Sequence, residues 1–263
     1  MTVRIERPAP RVAELVMDRP EALNALSTEQ ARRLAEAVRS LAVDPAVDVV
    51  ILASALPTAF CVGADLKERN RLDDDQLRGQ RTVFVDTFAA VRDLPMPTVA
   101  AVGGHALCGG CELALACDLI VAADNASFGL PEVGLGLVPG GGGTQLLSRR
   151  IGRSRALDLI LTGRPVGLDE AWRLGLVDRR TPVGDARVAA LALAQDVAVN
   201  SPVSLRAAKR AVRDGLDVDL ATGLVLEDQA WQEAAFSPDR REGVAAFNAK
   251  RAPRWPSWGG SDD

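Results

Sequence analysis

The sequence is short of several things, and each shortage removes a class of function. It has one histidine, His105, and no Gly-x-Ser-x-Gly elbow, which leaves a serine hydrolase poorly supported. A thiol nucleophile at Cys108, three residues from that histidine, has little more behind it. Long apolar runs are missing too. Residues 97–102 are too few to span a bilayer, and the run at 111–123 is broken by Glu112 and Asp118, so no membrane partner is expected. Met1-Thr2-Val3-Arg4-Ile5-Glu6 contains no apolar h-region, so the reading is a cytoplasmic protein without a secretory signal. Positive charge is not in excess: the net charge is −4, which argues against a dedicated nucleic-acid binder. Repeats and low-complexity blocks are absent. Cys61, Cys108, Cys111 and Cys117 all lie in apolar surroundings and read as buried thiols of a reducing compartment.

One absence is local. From Asp93 to Ser148 there is no lysine or arginine, yet Glu112 and Glu132 sit there among glycine and apolar residues. A carboxylate is rarely buried without a partner, because desolvation disfavours its charged form. If buried, its proton affinity rises toward values useful for proton transfer near neutral pH. The competing reading places both glutamates at element ends, pointing into water. Local sequence leaves the two readings level.

What is present has the composition of an ordinary enzyme: 48% hydrophobic and 25% charged residues over 263 positions, enough for one large domain with an appendage. Residues 11–17 alternate as a strand that Asp18-Arg19-Pro20 ends. Ser27-Thr28-Glu29-Gln30 fits a capping box before a helix with Ala31, Leu34, Ala35, Val38 and Leu41 on one face. Asp44-Pro45 stops it, Val47 to Ala53 makes a buried strand, and a loop is expected from Phe60 to Asp65. Residues 75–92 read as a polar helix forming a mobile flank of a site. A strand at 97–102, a glycine turn, a helix at 110–117 and a strand at 118–123 follow, which argues for an α/β fold with parallel pairing. From about residue 143 the pattern is almost wholly helical. Ser201-Pro202 caps one helix, Gly215 is placed at its C-terminal cap, and helix faces continue through Phe247. The tail from Trp255 onward is expected to fray.

Several segments could carry chemistry. Gly103-Gly104-His105-Ala106-Leu107-Cys108-Gly109-Gly110-Cys111-Glu112 joins a strand to a helix whose first amides are unpaired donors, suited to a developing negative charge. A tight steric connection explains Gly103 and Gly104 equally well, and Gly109 less well. The turn Phe60 to Glu68 is suited to supplying another backbone N–H. Phe128 to Gly134 is read as an extended, proline-stiffened segment holding Glu132. Gly140 to Gly143 then precede a helix, but the dinucleotide fingerprint fails because Pro139 stands where its third glycine belongs. The spacing His105-x2-Cys108-x2-Cys111 is that of a metal-ligand run. A tetrahedral site would need Cys117 to curl back, so no metal is expected.

Taken together, the segments resemble the crotonase superfamily, the enoyl-CoA hydratase/isomerase fold. The likeness runs in order through Arg19 to Leu26, Ala59 to Glu68, Gly109 to Asp118, Phe128 to Glu132, Val138 to Gln145 and Ala246 to Arg251. It implies a spiral of ββα turns over residues 1–195 and a C-terminal helical trimerisation region over 196–263, assembled as a homotrimer or a dimer of trimers. It implies an acyl-CoA thioester substrate and no cofactor. Carried onto matching positions, the amides of Ala64 and Gly109 form an oxyanion hole, and both catalytic glutamate positions are filled. Glu112 orients and deprotonates the water, Glu132 protonates the α-carbon, and the amide of Gly140 holds the water. The substrate-binding set that the resemblance implies is Glu21, Ala22, Leu23, Ala64, Asp65, Leu66, Lys67, Gly109 and Lys250.

Two departures stand out. Gly103 and Cys108 replace an asparagine and a glycine usual in the family, and Glu21 sits where a basic residue often helps near the nucleotide. The implied reaction is syn hydration of a trans-2-enoyl-CoA. The alternatives are a double-bond isomerase or specialised acyl-CoA hydratase of the same fold, and, further away, a non-catalytic acyl-CoA or RNA-binding scaffold.

Overall fold

The computed structural model describes residues 3–258. A hairpin opens it: β1 (Val3–Ala9) pairs antiparallel with β2 (Val12–Met17), and α1 (Thr28–Ala42) follows. The chain then winds as a spiral. Each turn lays one strand in a large sheet and a short strand in a small sheet before leaving in helical segments. The first turn is β3 (Val49–Ser54) and β4 (Ala59–Cys61), then α2 (Leu66–Arg69) and α3 (Asp74–Arg92). The second is β5 (Thr98–Val102), β6 (His105–Leu107) and α4 (Gly109–Ala116). The third is β7 (Leu119–Ala123) and β8 (Ser127–Gly129), a 3-10 turn at Pro131–Leu135, α5 (Gly143–Ile151) and α6 (Arg153–Thr162). After these come β9 (Val166–Gly167), α7 (Leu168–Leu174), β10 (Arg179–Thr181) and α8 (Ala186–Ala198). The chain ends in α9 (Pro202–Gly215), α10 (Leu220–Ala235) and α11 (Pro238–Asn248).

The large sheet runs β1-β2-β3-β5-β7-β10, parallel from β2 onward; the small one runs β4-β6-β8-β9, parallel except for its last pair. Every residue of β2, β3 and β5 is buried, as in parallel sheets covered on both faces. Successive turns stack so closely that some positions admit no side chain. A Cβ on Gly104 would lie 2.2 Å from the Thr58 carbonyl, and one on Gly110 1.9 Å from the Cys61 oxygen. Gly103 is different: its Cβ would make an ordinary 3.8 Å contact with Ala186. The steric explanation therefore holds for Gly104 but not for Gly103.

Several expectations change on contact with the fold. The segment from Phe60 begins as strand β4 rather than loop, and β1, β6, β9 and β10 are strands that periodicity missed. β6, β9 and β10 are each three residues or fewer, too short to show alternation; in β9 and β10 they interrupt a stretch read as helical. Ser27 Oγ does accept the Gln30 N–H at 3.1 Å, but the buried Gln30 side chain returns no bond, so the reciprocal half of that box is missing. The complete box is Asp73 with Gln76, at the head of α3. Gly215 is the last residue of α9, and Leu216 caps it. Helix does continue through Phe247, in α11, where that side chain is largely exposed. The tail does not fray at its start: the Trp255 indole donates to the Val199 carbonyl at 2.8 Å and that of Trp258 to Asp48 at 3.0 Å. Residues 259–263 lie outside those described. α8 packs on the large sheet through Ala190, Ala194 and Ala198, so the chain leaves that layer only after Ala198. Among the described residues no single helix is long and apolar enough to cross a membrane.

Candidate active site

Glu112 projects from the first turn of α4 and is 3% exposed. Its Oε1 accepts the Gly141 N–H at 2.6 Å and the Gly143 N–H at 2.8 Å. The glycine run is what lets the backbone wrap a carboxylate. A Cβ on Gly141 would sit 2.7 Å from the Phe88 ring and 2.8 Å from Glu112 Oε2, and one on Gly143 2.9 Å from Oε1. Burial pushes the proton affinity of Glu112 up, and the two amides and the Arg81 charge pull part of it back.

Glu132 lines the same cavity. It lies in the 3-10 turn Pro131–Leu135, not on an extended segment, because strand β8 ends at Gly129. It is 7% exposed, and its Oε2 is buried without a hydrogen-bond partner. Burial, with the like charge of Glu112 adding to it, pushes this carboxyl up to about 7. Two neighbouring carboxyls in unlike surroundings, one tied to two amides and one with an unpartnered oxygen, can hold different protonation states at neutral pH.

Ala64 and Gly109 meet at the rim. Gly63 has φ +94°, and a Cβ there would lie 2.4 Å from Cys108 Cβ and 3.2 Å from the Gly109 nitrogen. That contact presses the 61–65 turn onto the start of α4. Leu26 bridges the turn by donating to Gly63 O at 2.7 Å and accepting from Asp65 N–H at 2.8 Å. Because successive amides of an extended chain alternate in direction, the Ala64 N–H between them points away from Leu26. The Gly109 N–H is among the unpaired donors of the first helical turn. Ahead of it Cys108 adopts φ 50° and ψ −128°, a backbone normally left to glycine.

These groups line one cavity of about 800 Å³, together with Leu26, Leu66, Phe84, Phe88 and Gly140. The cavity thus gathers Glu112, Glu132, Ala64, Leu66, Gly109 and Gly140 from the sequence-based set. Glu21, Ala22, Leu23, Asp65, Lys67 and Lys250 lie outside its lining. Asp65 is the N-cap of α2, accepting the Lys67 and Glu68 amides and pairing with Arg19 at 2.7 Å. Arg19 also reaches Glu21, so the turn 20–23 stands beside the 65–67 segment on the protein surface. Lys250 follows α11.

Sequence reasoning missed Gly141 and Gly143 as the partners of Glu112, although the glycine run flagged them. It also missed three arginines of the cavity wall, Arg69, Arg78 and Arg81. α3, read from sequence as a polar helix flanking a site, is a continuous helix that does flank the cavity, lining it with Leu77, Arg81, Phe84 and Phe88.

The cysteine chemistry falls away. His105 is exposed on β6 with Nδ1 2.7 Å from Ser127 Oγ, and Cys111 is buried. Among the described residues no group of three histidine, cysteine or acidic side chains is placed to hold a metal ion. Burial pushes the Cys61, Cys108 and Cys117 thiols up to about 12, far from a thiolate at neutral pH.

The family model for enoyl-CoA hydratase/isomerase matches residues 8–258. The chain belongs to that family. YngF of Bacillus subtilis strain 168, an enoyl-CoA hydratase/isomerase by name, is 45% identical over 240 residues, which cover 91% of this chain and 92% of the relative. The mouse mitochondrial enoyl-CoA hydratase domain-containing protein 2 is 41% identical over 248 residues, covering 93% and 84%. The crystal structure of an enoyl-CoA hydratase from Bacillus anthracis superposes with a TM-score of 0.95 at 40% identity, over 98% of this chain and 100% of that one. This family member is an enzyme of the crotonase fold, and the spiral described above is that fold.

Proposed function

We propose that this enzyme adds water syn across the double bond of a trans-2-enoyl-CoA. The observation that carries the reading is the pair of buried carboxyls, Glu112 and Glu132, facing one cavity beside the Ala64 and Gly109 amides. The two amides receive the thioester oxygen and stabilise the enolate charge that develops as water adds at the β-carbon. Glu112, held as an acceptor by Gly141 and Gly143, orients the water and takes its proton. Glu132, whose carboxyl titrates at about 7, delivers a proton to the α-carbon. Delivery of water and proton from one side is the syn course. Gly140, a cavity residue next to the Gly141 amide that holds Glu112, is assigned to steady the same water through its backbone.

Coenzyme contact is assigned to the surface turn 20–23, to Asp65, Leu66 and Lys67, and to Lys250. The tie between Arg19, Glu21 and Asp65 supports the first two as one edge. No cofactor enters this chemistry. The exposed apolar residues Val212, Leu216, Leu220, Leu224, Trp231 and Phe236 support assembly of the C-terminal helices into a trimer or dimer of trimers. The four free thiols fit a reducing, cytoplasmic setting.

The test is crotonyl-CoA, followed by loss of its conjugated absorbance, with Glu112→Gln alongside. Hydration by the wild type, lowered about 100- to 10,000-fold by the substitution, supports the assignment. An unchanged substituted enzyme overturns the role of Glu112, and absence of turnover with crotonyl-CoA and longer enoyl-CoAs overturns the hydratase reading.

A further inference from the structure

We infer that the acyl end of this cavity selects thioesters whose short acyl chain ends in a carboxylate, and that Arg81, with Arg69, reads that group. The inference rests on the hydratase reading only for which face of the cavity holds the acyl chain. Its basis is a pair of cations without anions. Arg69 and Arg81 both line the cavity, and among the described residues neither has a carboxylate within the 4.0 Å of an ion pair. Arg78, their neighbour on α3, already pairs with Asp75.

Arg69 is held in place by neutral groups. Its Nε donates to Gln80 Oε1 at 3.1 Å, and its guanidinium stands 5.6 Å from the centre of the Phe84 ring. These contacts fix the fork and leave its terminal nitrogens available. The exposed Arg81 side chain has no hydrogen bond to another described residue, and its Nη1 would lie 2.9 Å from a Cβ on Gly140. Gly141, the next residue, is the one whose amide holds Glu112. Consecutive Cα atoms are about 3.8 Å apart, so the Arg81 guanidinium ends within roughly a nanometre of the catalytic carboxyl. That reach suits an acyl chain of about five or six carbons, with water adding at one end and the guanidinium bound at the other.

The neighbouring acids feel this charge but do not pair with it. Glu112, on which the Arg81 charge acts, gives its Oε1 to two amides; Glu68, near Arg69, gives its Oε2 to the Thr28 amide and to Gln80; and Asp74 is exposed at the head of α3. A purely apolar acyl end would gain nothing from a guanidinium and would leave it to be desolvated unpaired. A carboxylate converts the same cation into a two-pronged partner.

The measurement compares two saturated, unreactive thioesters, glutaryl-CoA and pentanoyl-CoA, by titration calorimetry. Their coenzyme halves are identical, so contacts to the CoA phosphates cancel in the ratio of the dissociation constants. The expected ratio favours glutaryl-CoA by at least about tenfold in the wild type and falls about tenfold or more in Arg81→Met, with a smaller fall in Arg69→Gln. A wild type that prefers pentanoyl-CoA, or a ratio that Arg81→Met leaves unmoved, overturns the inference and returns the arginines to the coenzyme phosphates or to solvent. Hydration of trans-2-pentenoyl-CoA and of glutaconyl-CoA, measured in parallel, tests the hydratase reading separately: absence of turnover with both sinks that reading and leaves the binding ratio to decide this one.

Discussion

Replacing Glu132 by glutamine should make the protein more stable at high pH relative to low pH while removing its catalytic acid. Burial lifts this carboxyl from an ordinary 4.5 to about 7. In the unfolded chain the group ionises near the ordinary value, so between these two limits the native state holds a proton that the unfolded state has lost. Stability from this group is therefore fully present below about 4.5 and is lost as pH rises through about 7. Each tenfold difference in proton affinity is worth about 1.4 kcal/mol, and the interval spans between two and three such steps. From pH 5 to pH 8 the wild type should lose roughly 2–3 kcal/mol that Glu132→Gln does not lose. The pH-independent cost of burying an amide cancels when the stability difference between the two proteins is followed across pH. Urea unfolding at pH 5, 6, 7 and 8, at one protein concentration, reads it directly. A stability difference flat across that range would refute the reasoning, since Glu132 would then titrate as though in water. The same carboxyl should shape catalysis. The kcat/KM profile should fall on its alkaline side with an apparent pKa near 7, belonging to the coupled pair rather than to Glu132 alone.

Two further substitutions separate geometry from charge. Gly141→Ala places a Cβ against Phe88 and Glu112 Oε2, and should lower kcat/KM about 100-fold by displacing the carboxyl without altering any titratable group; near-wild-type turnover would show that the glycine wrap does not hold Glu112 in place. Cys108→Gly should raise stability by about 1 kcal/mol, because glycine adopts the φ 50° backbone without strain and this gain exceeds its extra unfolded-state entropy. A loss of stability in urea unfolding would mean that packing of the thiol against Gly63 outweighs the strain.

The sequence by itself determined the α/β class, the succession of buried strands and the family likeness. Those rest on local signals: fully apolar runs such as Val49 to Ala53, glycines at fixed offsets, and acids standing alone in apolar segments. It also singled out Glu112, Glu132 and Gly109, since a carboxylate in a region devoid of cations is conspicuous before any fold is known. Short strands such as β6 and β9 escaped it because three residues or fewer carry no periodicity, and their pairing comes from the stacking of spiral turns. Whether Glu112 faces water or backbone was likewise undecidable from its neighbours. The answer depends on Gly141 and Gly143, 29 and 31 residues away, which tertiary folding brings to within 2.8 Å of its oxygen. The unpaired Arg69 and Arg81 in the cavity wall belong to the same kind of fact. A polar helix in sequence looks solvated on every side, and only packing of Phe84 and Phe88 against the core turns one flank of α3 toward the site. Pattern along a chain reports what each residue prefers, whereas burial, charge pairing and proton affinity are set by what the fold places opposite it.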